Sequence, residues 1–110
     1  MPREISFLYT LSSDLHNRLR VNAWIEKGIV TGFVVQYEAF IQDQWRPIVR
    51  YDTAHGFAHR DLIHPKGEAE KQPLYFPNLN LAFTFAIQDL KMLWGRYRAG
   101  YEGEMRREED

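Results

Sequence analysis

The sequence predicts an α+β domain: an antiparallel meander of about four to five strands, with one long C-terminal helix packed on one face. Three observations carry this. From Arg18 through Tyr51 apolar and polar residues alternate, the period of half-buried strands. From Leu79 to about Arg98 apolar residues recur at three and four, the period of a helix. One face of such a sheet needs a cover, and this helix is the long element available to supply it.

Ile5 to Thr10 is a short run of strand formers, which Ser12-Ser13-Asp14 breaks as a helical cap or a loop. Along Arg18 to Lys27, Leu19, Val21, Ala23 and Ile25 share one face, with Arg18, Arg20, Asn22, Trp24 and Glu26 on the other. Lys27-Gly28 is a turn, or Gly28 is a bulge. In Ile29 to Gln42, Phe33, Val35, Tyr37, Ala39 and Ile41 oppose Val34, Gln36, Glu38 and Phe40. Gln42-Asp43-Gln44 is short and polar but lacks the glycine favoured by the tightest hairpins. Trp45 to Tyr51 follows with Trp45, Val49 and Tyr51 inward and Arg46, Ile48, Arg50 and Asp52 on the opposite face. Pro47 marks an edge strand or a bulge.

Arg50 to His64 then reads as a polar loop. Pro65-Lys66-Gly67 is a turn, Glu68 to Gln72 is charged and exposed, and Leu74-Tyr75-Phe76 is a last short strand. Asn78 or Asn80 caps the helix. Its stripe contains Leu79, Ala82, Phe83, Ala86, Ile87, Leu90, Leu93, Trp94 and Tyr97, and Phe85 and Met92 fall off its centre. Gly100 or Gly103 ends it. Residues 1–103 are thus expected to form a single domain, with 104–110 a charged, frayed tail.

Composition narrows the chemistry. The formal net charge of −1 gives no global basic field for coating DNA. The absence of cysteine excludes disulfides, thiolate metal sites and cysteine nucleophiles. No stretch has the length of a signal peptide's apolar region or of a membrane span, so the expectation is a cytoplasmic protein, bacterial or archaeal, with no membrane partner.

Arg50-Tyr51-Asp52-Thr53-Ala54-His55-Gly56-Phe57-Ala58-His59-Arg60-Asp61-Leu62-Ile63-His64 concentrates the reactive side chains, including three of the four histidines. Imidazole takes and gives protons near neutral pH, so His55, His59 and His64 are candidate proton-transfer residues for cleaving a phosphodiester. Arg50 and Arg60 would hold the phosphate, and Tyr51, Asp52 and Asp61 complete the candidate ligand-binding set. No cofactor is expected; the alternative is a divalent metal held by the histidines, with Asp52 and Asp61 adding oxygens. Gly56 and the missing apolar period argue against the helix that would place His55 and His59 on one face. The plain reading is a polar loop whose side chains bond its own backbone. Trp24 and Phe40 with Arg18, Arg20 and Arg46 on the outer sheet face could stack single-stranded bases, or be cross-strand packing.

The run Trp45-Arg46-Pro47-Ile48-Val49-Arg50-Tyr51-Asp52 and the histidines to His64 resemble small prokaryotic proteins with an Arg-Tyr-Asp strand end, and among named groups the TumE-type toxins of toxin–antitoxin pairs. Here the histidines are dispersed, not adjacent. The resemblance implies an RNA target and a partner protein from the same operon, with Arg50, Tyr51, Asp52, His55, His59 and His64 as the positions carried over. The alternative class is a non-enzymatic module that forms a homodimer or binds a partner through the helix or the outer sheet face.

Overall fold

A computed structural model describes residues 2–54 and 56–109. It has six strands and one helix: β1 (Arg3–Thr10), β2 (Asn17–Glu26), β3 (Ile29–Ile41), β4 (Gln44–Asp52), β5 (His59–Ile63), β6 (Ala69–Pro73) and α1 (Leu79–Glu109). The strands form one antiparallel sheet in chain order, and α1 lies over β3 and β4. The α+β meander with its covering helix is as expected, with six strands in place of four to five.

The covered face follows directly from the alternation. Leu19, Val21, Phe33, Val35, Tyr37, Val49 and Tyr51 are buried against Ala82, Ala86 and Leu90 of α1. Small alanines at the contact let the helix approach the sheet closely. Phe33 meets Phe83 and Tyr37 meets Trp94. Asn78 caps the helix, its side-chain oxygen accepting from the Leu81 amide at 2.9 Å. Asn80 instead bonds the Val30 amide and ties the helix start to β3.

Three local expectations change. β5 and β6 lie where the sequence read a loop and an exposed charged run, whereas Leu74 and Phe76 pack on the core outside any strand. Polar residues occupy both faces of these two strands, so no apolar alternation marks them. A bulge reverses the phase of β4: Tyr37 pairs with Val49 but Glu38 with Pro47, leaving Ile48 as the extra residue. Trp45 therefore stands outside against Phe40, and Arg46 turns to the helix side, where it bonds the Ile41 carbonyl and Gln42. The Gln42-Asp43 turn is made without glycine, both residues having positive φ (53° and 63°). Finally, α1 passes through Gly100 and Gly103 to Glu109, because Tyr101, between the glycines, is buried and Met105, beyond them, packs on the core.

Candidate functional site

Residues directly opposite in paired strands share a sheet face. Register thus sorts the Arg50–His64 stretch into three places. Tyr51 pairs with Arg60 and points toward the helix; Arg50 pairs with Asp61, and Asp52 with His59, on the face the helix leaves uncovered. His64, just past β5, is about 16 Å from His59 at the rise of an extended chain. His55 lies outside the described residues.

On the helix side Arg60 is fully engaged. Its guanidinium donates to Gln72 at 2.6 and 2.8 Å and to the Tyr51 and Tyr97 hydroxyls at 3.3 and 3.2 Å. Both tyrosines donate to Asp89 Oδ2 at 2.7 Å. Burial, and then the Asp89 carboxylate, push the Tyr97 phenol up to about 12 and Tyr51 further in the same direction. This cluster bolts α1 to β4 and β5. Arg60 and Tyr51 take part in it, on the sheet face opposite Arg50.

His64 belongs to a second helix attachment. Its Nδ1 stands 2.7 Å from Glu104 Oε2, and its Nε2 3.4 Å from Glu70. The Glu104 bond, ahead of a smaller opposing effect of burial, raises the imidazole above its ordinary value. Beside it, Ile48, Leu62, Tyr97 and Tyr101 floor a cavity of about 190 Å3 between sheet and helix. His59 and His64 therefore do not form an acid–base pair.

The uncovered face brings together Arg50, Asp52, His59 and Asp61. The register places Leu8, Arg20, Gln36, Arg50, Asp61 and Lys71 in one row across all six strands. Asp52 Oδ1 is 2.6 Å from His59 Nε2, and Lys71 Nζ is 3.4 Å from the same nitrogen. Asp52, His59 and Asp61 each have a potential ligand atom within 4.8 Å of the others. His59 is 1% exposed and Asp61 7%. Asp61 Oδ1 is buried without a hydrogen-bond partner among the described residues.

Further along this face, Arg50 Nε donates to Gln36, and Gln36 donates to Glu38. Arg18 and Arg20 both bond Glu38, and Arg18 lies 3.7 Å over the Trp45 ring. Burial opposes the charge on Glu38, but the bonds from Arg20, Arg18 and Gln36 outweigh it and hold the carboxyl below its usual range. Trp24 and Trp45 remain partly exposed, at 38% and 37%.

Sequence reasoning missed Lys71, Asp89 and Tyr97 as partners. The Pro65-Lys66-Gly67 turn was the available signal: reading 59–63 and 69–73 as a hairpin around it sets Lys71 opposite Asp61. Asp89 follows only from knowing which side of α1 meets β4. Among the described residues, no helix is long and apolar enough to cross a membrane.

No curated protein and no solved structure matches the chain. A family model, by contrast, covers nearly all of it, and on that match the chain belongs to the family described as a domain of unknown function, DUF7718, over residues 1–107.

Proposed function

We propose that the protein binds single-stranded RNA on the uncovered sheet face, as one component of a toxin–antitoxin pair with an operon-encoded partner. The observation that carries the RNA reading is the row Arg20–Gln36–Arg50–Asp61–Lys71 with Trp24 and Trp45 on the same face. Guanidinium and ammonium groups meet phosphates, and indole rings stack bases without regard to sequence. The two Nη atoms of Arg50 have no bond within the described residues and are free to take a phosphate as a fork. The toxin–antitoxin part rests on the resemblance of the Arg50-Tyr51-Asp52 strand end.

Binding is favoured over cleavage by the geometry. His59 is 1% exposed and engaged with Asp52, and His64 is committed to the helix. The test is fluorescence anisotropy of short labelled RNAs. We expect binding that weakens steeply with salt and drops roughly tenfold or more in the Arg50→Ala/Lys71→Ala double variant. No binding at low salt would end the reading, and intact total RNA after incubation would exclude the nuclease version.

One observation favours the interaction module as a second reading. Leu81, Phe85 and Met92 are exposed on α1 at 50, 39 and 79% and recur along one side of it, where Phe85 also meets Phe76. A homodimer through this stripe would double the mass in light scattering, and Met92→Lys would return it to a monomer.

A further inference from the structure

The Asp52, His59 and Asp61 cluster gathers two carboxylates and an imidazole on two paired strands. The Lys71 ammonium stands 3.4 Å from His59 Nε2, and Arg50, opposite Asp61 in register, donates its Nε to Gln36. Asp61 is 93% removed from solvent by its 7% exposure, yet Oδ1 has no donor among the described residues. A buried carboxylate oxygen left without a partner costs free energy, and a cation is one species that would satisfy it.

We propose that Asp52, His59 and Asp61 bind one first-row divalent cation, Mn2+ or Zn2+. One imidazole with two carboxylates is a ligand set of the intermediate hardness that these ions accept. At bond lengths of about 2.1 Å, tetrahedral ligand atoms stand about 3.4 Å apart. The three atoms already lie within 4.8 Å of one another, with Asp52 and His59 at 2.6 Å, so side-chain adjustments alone close the site. β4 and β5 hold them in register, which makes the site preformed. Lys71 is its built-in competitor. The ammonium stands at 3.4 Å from the ligating nitrogen, on a long stem from the exposed edge strand β6, and leaves when the ion enters. Three protein ligands leave coordination positions for water or a phosphate oxygen.

This site does not depend on the RNA reading, and its test uses no RNA. Protein purified without a histidine tag is titrated by calorimetry with Mn2+ and, separately, Zn2+. We expect one equivalent bound, a loss of roughly tenfold or more in affinity for Asp61→Asn, and tighter binding for Lys71→Met. A dissociation constant above about 1 mM for both ions, too weak to hold a resident metal, overturns the proposal. So does binding that Asp61→Asn leaves unchanged, which would place the ion elsewhere, for example at His64 and Glu104. If Asp61→Asn fails to fold, Lys71→Met decides: its substitution lies on the exposed edge, and an affinity no tighter than wild type overturns the site.

Discussion

Arg60 and Asp61 are neighbours on β5 with opposite fates. Arg60 points to the helix and enters a closed cluster in which Gln72, Tyr51, Tyr97 and Asp89 answer its donors. Asp61 points away from the helix, is as inaccessible as a core residue, and keeps an oxygen without a donor among the described residues. The closed cluster has the completeness expected of a structural bolt, since leaving any member unpaired would be costly. The open one is incomplete, and incompleteness at a buried polar group is where a ligand gains most. A strand's alternation thus separates residues that hold the fold from residues available for binding, within one residue step.

Removing Asp89 attacks this contrast most strongly. Its side chain is 9% exposed and accepts from the phenols of buried Tyr51 and half-buried Tyr97, so Asp89→Ala should lose about 3 kcal/mol in urea unfolding. A loss near zero would mean that the cluster is not a bolt. Tyr97→Phe, which deletes one hydroxyl and leaves the ring, should cost about 1 kcal/mol by the same assay. On the open side, Asp61→Asn should change stability by less than about 1 kcal/mol, because it removes a charge that nothing fully satisfies. Destabilisation as large as that of Asp89→Ala would erase the distinction between the two clusters.

The smallest effect concerns His64. Its pKa is raised in the folded state, so the stability it contributes is fully present below its unfolded value of 6.5 and is lost as pH rises through the higher folded value. The melting-temperature gap between wild type and Glu104→Gln should therefore be widest below pH 6.5 and shrink in alkaline buffer. The opposite trend would show that Glu104 does not hold the imidazole charged.

Much of the fold was legible because β2, β3 and β4 bury one face against a helix, and burial on one face writes alternation into sequence. Phe33, Val35 and Tyr37 announce it. β5 and β6 do not, since His59, Arg60, Asp61 and Lys71 serve polar clusters on both faces. Trp45 was assigned the wrong side because one extra residue, Ile48, is invisible to a period-two reading; Pro47 was the sole hint. The end of α1 was misjudged because glycines lower local helix propensity, and the contacts of Tyr101 and Met105 override it. Within the site, the reactive residue types of the stretch were visible. Which of them meet was not, because that depends on register.

The meander order also shapes how the molecule is made. Each strand pairs with the one synthesised just before it, so the sheet grows hairpin by hairpin with short loop closures, a pattern that favours fast folding. Its apolar face nevertheless waits for α1. Until the segment from Leu79 has left the ribosome, Val21, Phe33, Val35 and Tyr37 have no cover. A nascent chain paused in that interval is a sticky sheet with open edges at β1 and β6, and the helix is the step that covers its apolar face.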